Sequence, residues 1–255
     1  MDSPLATSSH VTRSVAVKSE SRQLAFGFRN SLPAAGLRAI THGVRDAISV
    51  GCELQYEATT ATTMILNIET QRSSGQTLLE DNFTGPVGDV NEMPETGNRY
   101  RRVILPPGTH DIRYKAVVDT HAVHVADPGE ITETPVAALP FDGLPHLYAS
   151  RYCPSDQMAR FARRQSGAIA SGHEKVQAIC NWIFENVDYL EGSSDSSTSA
   201  HDTFTLRAGV CRDFAHFGIT LTRAVGISAR FVSAYALELT PQDFHAVFES
   251  CLGGR

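Results

Sequence analysis

Cys211 and His245 are the residues whose types and surroundings could carry nucleophilic chemistry. Cys211 follows Gly209-Val210 and opens an apolar stretch in which Phe214, Phe217, Leu221 and Val225 recur at three- and four-residue spacing. That spacing predicts a helix with Cys211 in its first turn and Gly226 just past its end. Unpaired backbone N–H groups and the positive end of the helix dipole there favour a thiolate, and the same N–H groups can donate to an oxyanion. A cysteine nucleophile needs an imidazole base within hydrogen-bond reach, usually brought from a distant strand. His245 lies in the β-prone run Phe244-His245-Ala246-Val247-Phe248-Glu249, 34 residues downstream, and is the natural candidate. His216 competes, but five positions along one helix is about 7.5 Å of rise, pointing away from the first turn. It reads as a packing or surface residue.

The bulk properties narrow what such a pair could serve. In 255 residues, 42% are apolar, which is enough for real cores, and the net charge of −6 disfavours nucleic acid or an anionic membrane as partner. No run of about 18 apolar residues occurs, so no membrane span is expected, nor a standard export signal. The five cysteines, Cys52, Cys153, Cys180, Cys211 and Cys251, are odd in number and form no CxxC pair, which suggests a reduced, cytoplasmic protein. No metal is expected: His121 and His124 would face opposite sides of an extended chain, and zinc through Cys211 and His245 lacks a third ligand. Asp195 stands alone in a serine string, so calcium is not indicated either, and no cofactor is expected.

These residues must be held by surrounding elements. Residues 1–44 carry five basic residues against two acids, with seven serines, and read as a disordered extension. Residues 45–125 hold five β-prone runs, Ile48 to Tyr56, Thr62 to Glu69, Gln76 to Phe83, Arg99 to Leu105 and Thr109 to Asp119, several alternating apolar with polar side chains. They predict a β-sandwich. Residues 126–154 are Pro-rich and read as a surface connector. From 155 the pattern is helical, with Val176, Ile179, Cys180, Ile183 and Val187 marking one apolar face beside Trp182, which reads as packing or a cleft wall. Gly192 to His201 reads as a solvated loop.

The wording around the pair is more specific than its spacing. Gly209-Val210-Cys211-Arg212-Asp213-Phe214-Ala215-His216, the run Arg223 to Tyr235, and Asp243-Phe244-His245-Ala246-Val247-Phe248-Glu249 closely resemble the core of bacterial transglutaminase-like cysteine enzymes. Ser150-Arg151-Tyr152-Cys153-Pro154-Ser155-Asp156 resembles members with an N-terminal β-domain. The resemblance implies an α+β fold: an N-terminal β-sandwich, then a papain-like transglutaminase core over 155–255 whose helices pack on an antiparallel sheet. It implies Cys211 as nucleophile and His245 as base.

Two departures stand out. Val247 takes a place that is usually Trp, and the family's third residue, an aspartate on a following strand, is expected beyond Arg255, so the core reads as truncated and weakly active. Asp243 is no obvious substitute, and Asp213 suits the helix dipole while opposing a thiolate. The implied function is cysteine-dependent acyl transfer on a peptide or protein amide through a thioester, released to water or to an amine. The alternative is a non-catalytic, peptide-binding member of the same fold.

Overall fold

The computed structural model describes residues 12–19, 46–120, 131–236, 239–240 and 242–254. The chain forms two compact units, the first from residues up to His124 together with Tyr235–Phe244, the second from Val125–Ala234 and His245–Arg255.

The first unit contains β1 (Thr12–Ser19), β2 (Asp46–Ala58), β3 (Thr62–Leu66), β4 (Gln76–Thr84), β5 (Gly88–Glu92), β6 (Arg99–Leu105) and β7 (Gly108–Thr120). They make an antiparallel sheet of order β1-β2-β7-β4 and a second of order β3-β6-β5. Alternation decides which faces meet: Ile112, Tyr114, Ala116 and Val118 of β7 are buried, with Val50, Cys52 and Leu54 of β2 and Val103 and Leu105 of β6 in the same core. Glu69 is buried too, but its carboxylate is paired with Arg99 at 2.7 Å and Arg101 at 2.6 Å, so this charge is compensated. The Tyr235 hydroxyl donates to the Ile68 carbonyl at 2.7 Å, closing the core at that edge.

All five anticipated strands are present, and two more were not foreseen. Gly88–Glu92 has one apolar residue and no alternation, yet pairs with β6 as an edge strand. Thr12–Ser19 corrects the expectation of a disordered extension over 1–44: it pairs along its whole length with β2, from Thr12 opposite Gln55 to Ser19 opposite Ile48. The basic, serine-rich composition of the segment as a whole hid a short run with β-branched Val15 and Val17 two apart. The rest of 1–44 lies outside the described residues, as do His121 and His124.

The second unit contains α1 (Ser155–Ser166), α2 (Gly172–Asn186), β8 (Asp188–Tyr189), α3 (Ala200–Leu206), β9 (Ala208–Gly209), α4 (Cys211–Ala224), β10 (Ala229–Tyr235) and β11 (Phe244–Ser250), the last two paired. Tyr235 and Phe244, at the facing ends of β10 and β11, belong to the first unit. Ser171 caps α2, its side chain accepting from the Glu174 N–H at 3.3 Å. Met158, Ala162, Ile179, Ile183, Phe217 and Leu221 close a core around α4, whose residues from Ala215 to Thr222 are all buried. Trp182 packs there edge-on to Phe161 and Phe217, with ring centres at 4.9 and 5.9 Å, and the Arg207 guanidinium covers its ring at 4.7 Å. Its role is packing.

The Pro-rich segment is not a free connector. Its described part, from residue 131, belongs to the second unit and is stitched into it. Ser228 donates to the Gly143 carbonyl at 2.8 Å, Arg223 to the Tyr148 carbonyl at 2.8 Å, and Cys153 is buried against Ile219 and Ala229. Proline composition signalled irregular backbone correctly; the anchors Tyr152 and Cys153, which bury that backbone, carry no periodic signal.

Candidate active site

The start of α4 is built by a short parallel ladder and a buried carboxylate. Arg207 ends α3 in the left-handed region at φ 55°, and β9 then pairs in parallel with β8, placing Tyr189 opposite Gly209. A Cβ at Gly209 would lie 2.8 Å from the Cβ of Asp213, so only glycine lets the chain approach so closely. Asp213, 1% exposed, accepts hydrogen bonds from the Val210 N–H at 2.9 Å and from the Ser194 hydroxyl, and pairs with Arg212 at 2.9 Å. Arg212 also donates to the Asp195 carbonyl, and Tyr152 to the Ser196 carbonyl at 2.8 Å. The serine-rich loop expected to be merely solvated is therefore tied down over the helix start. The Arg212 pairing offsets the Asp213 charge beside Cys211.

The backbone donors of this turn can be followed one by one. Asp213 and Phe214 donate to the Val210 carbonyl at 2.8 and 3.0 Å, and the Val210 N–H is taken by Asp213. That leaves the Cys211 and Arg212 N–H groups outside the helix's own bonding. Cys211 is the first residue of α4, half-buried, its thiol free. The Tyr189 hydroxyl faces its N–H and Sγ; burial first, then the negative charge of an ionised Cys211, hold this phenol above its ordinary pKa. The Tyr189 ring leans on Phe214 with ring centres 5.8 Å apart. Tyr189 was invisible in the sequence, because only the non-local pairing of β8 with β9 brings it to Cys211.

β11 touches α4 through Phe248. A Cβ at Gly218 would come within 2.3 Å of the Phe248 ring, so helix and strand touch closely there. The Cys251 N–H donates to the Ser228 carbonyl at 2.9 Å, next to the pairing of β10 with β11. Cys211 heads α4, and His245 is the second residue of β11. Among the described residues no hydrogen bond joins them, and the buried Nδ1 of His245 has no partner. Asp243 turns its carboxylate to its own strand, accepting the Phe244 N–H at 2.7 Å. Val247, in the place that is usually Trp, is 43% exposed.

The remaining candidates fall into structural roles. His216 is buried, its ring stacked on Tyr152 at 5.1 Å and 5° and set against Phe231 at 5.1 Å. Burial, and then the Arg212 charge, lower its pKa from 6.5 to about 4 against the opposing pull of Asp213. The unfolded chain therefore binds this proton more readily, so the stability held by neutral His216 is full above pH 6.5 and is lost as pH falls toward 4. At roughly 1.4 kcal/mol per pH unit the loss is on the order of 3 kcal/mol. His216→Phe, which keeps the stack and cannot titrate, is expected to flatten this part of the stability profile in denaturant melts from pH 4 to 7; an unchanged profile would contradict the assignment. Cys52, Cys153 and Cys180 are all raised in pKa by burial, as structural thiols are. The described residues contain no cluster of three or more His, Cys, Asp or Glu side chains suited to a metal ion.

Comparison with known proteins adds to this geometry. The family model described as the bacterial transglutaminase N-terminal domain matches residues 47–142, and that of the transglutaminase-like superfamily matches residues 159–255. A solved structure of a candidate cysteine protease from Cytophaga hutchinsonii is 39% identical, with a TM-score of 0.75, covering 81% of this chain and 73% of its own. An uncharacterised protein of Mycobacterium leprae (strain TN) is 36% identical over 70 residues, 26% of this chain and 25% of the relative. One from Mycobacterium tuberculosis (strain ATCC 25618 / H37Rv) is 36% identical over 62 residues, 24% and 20% respectively. The matches span a quarter or less of these curated relatives.

Proposed function

Since the chain belongs to the transglutaminase-like superfamily, a bacterial transglutaminase N-terminal domain preceding its core, we propose that Cys211 and His245 carry out cysteine-dependent acyl transfer on a peptide or protein amide. The observation that carries this reading is Cys211 standing, half-buried, as the first residue of the buried helix α4.

In the proposed reaction His245 takes the proton from Cys211 Sγ and the sulfur attacks the amide carbonyl. The carbonyl π electrons move to oxygen, and the Cys211 N–H donates to the resulting oxyanion. Collapse breaks the C–N bond, the imidazolium returns its proton to the leaving nitrogen, and a thioester remains on Cys211. Water releases the acyl group as an acid; an amine releases it as a new amide. The mechanism needs an acceptor for the His245 Nδ1–H to fix the working tautomer, and the buried Nδ1 has no partner among the described residues.

A second reading, a peptide-binding protein without catalysis, is favoured by one observation: His245 and Cys211 share no hydrogen bond. Intact-mass analysis after incubation with p-nitrophenyl acetate separates the two. The enzyme reading expects one acetyl group on Cys211 that is discharged by water or added amine. The binding reading expects none.

A further inference from the structure

A helix that ends in a left-handed turn usually makes it with glycine or asparagine, whose backbones enter that region at little cost. The end of α3 makes it with Arg207, at φ 55° and ψ 29°, the one non-glycine residue of positive φ among the described residues. The turn alone gives no reason for arginine, since glycine would form it without strain. The reason lies in the side chain. The Arg207 guanidinium covers the Trp182 ring of α2 at 4.7 Å and the Phe204 ring of α3 at 4.5 Å, while its Nη1 is buried without a hydrogen-bond partner. A strained backbone and an unpartnered buried donor thus coincide in one residue, shortly before Cys211. Strain of this kind persists where the surroundings over-determine it, and it gathers at functional sites.

What Arg207 holds is the start of the path to Cys211. Its N–H donates to the Thr203 carbonyl at 2.9 Å, closing α3, and its carbonyl accepts the Asp188 N–H at 2.8 Å. From there Ala208 and Gly209 pair with Asp188 and Tyr189, the Leu190 N–H donates to the Gly209 carbonyl at 3.0 Å, and Val210 stands as the N-cap of α4. Resting on the acyl-transfer reading, we infer that Arg207 is a positioning residue for Cys211: its guanidinium, gripped by Trp182 and Phe204, holds the left-handed turn that fixes β9 on β8 and so places the sulfur. Arg207 touches no reacting atom. With the grip removed, β9 is free to shift against β8, and Cys211 samples positions of which few face the carbonyl it must attack. A misplacement of about 1 Å is enough to slow such a step severely, while Phe217 and Leu221 keep α4 packed in its core.

Arg207→Gly removes the grip and relaxes the turn together, so this variant carries no backbone strain of its own. The burst of p-nitrophenol from p-nitrophenyl acetate separates positioning from folding: its amplitude counts folded, competent sites, and its rate constant reports how well Cys211 is placed. In Arg207→Gly the acylation rate constant at saturating ester is expected to fall by about tenfold or more, with the amplitude still stoichiometric and half-saturation changed by less than about twofold. Arg207→Lys keeps the charge without the flat guanidinium, and its rate constant is expected to lie between those of the parent and the glycine variant. Loss of amplitude at the parent rate constant in both variants would overturn the proposal in favour of a purely structural role. Parent values of both quantities would overturn it as well, the burst itself keeping the acyl-transfer reading intact. A parent chain with no burst beyond that of Cys211→Ala would overturn that reading and this proposal together.

Discussion

With Cys211 replaced by alanine, turnover of an activated ester is expected to fall to background, and with His245 replaced by alanine it is expected to fall by at least about a thousandfold. The two residues act as one device: the imidazole has no use without a thiol to deprotonate, and the thiol attacks slowly without a base. Their effects are therefore non-additive, and the double variant should be no slower than Cys211→Ala alone. His245 lies on β11 and is half-buried, so a smaller residue there leaves the contact of Phe248 with Gly218 in place and folding intact. Burst kinetics with p-nitrophenyl acetate read both effects. Retention of activity within about tenfold in either variant would remove that residue from the proposed chemistry.

Asp213→Ala is expected to cost the second unit on the order of 3 kcal/mol, because it strips a buried carboxylate from three partners at once. The Val210 N–H loses its acceptor, Arg212 its ion pair, and the Ser194 hydroxyl the anchor that holds the serine-rich loop against α4. Asp213→Asn keeps an acceptor for Val210 while losing the charge, and should cost roughly half as much. Trp182, the single tryptophan, packs in the core around α4, so its fluorescence in a denaturant titration reports this unit selectively. A loss below about 0.5 kcal/mol for Asp213→Ala would show that the network contributes little.

How much of this could be read from the chain depended on whether the governing contacts were local. Ile112, Tyr114, Ala116 and Val118 announce β7 by alternation, and Phe214, Phe217 and Leu221 announce α4 by helical spacing, because each pattern is the footprint of one buried face. The reading that Cys211 begins a helix followed from the same period, and His245 on a strand from β-prone composition. Residues whose role comes from distant pairing left no such mark. Tyr189 reaches Cys211 only because two-residue β8 and β9 pair across the intervening loop and α3. Asp213 could be placed in the first turn, but its hold on Ser194 depends on how a loop without periodicity folds back. β1 and the Pro-rich segment were misjudged for a related reason: composition averages over a window, whereas pairing with β2 or burial of Cys153 is decided by a few residues.

The central claim, that Cys211 is the working nucleophile, is tested most directly by timed iodoacetamide labelling of the folded protein near neutral pH, with peptide mapping of all five cysteines. Cys52, Cys153 and Cys180 sit where burial pushes the thiol pKa up, whereas Cys211 is half-buried at the open start of α4. The account predicts that Cys211 is modified first, ahead of the other four, and that its rate falls in His245→Ala. Labelling of Cys211 and Cys180 at equal rates in the folded protein would contradict it.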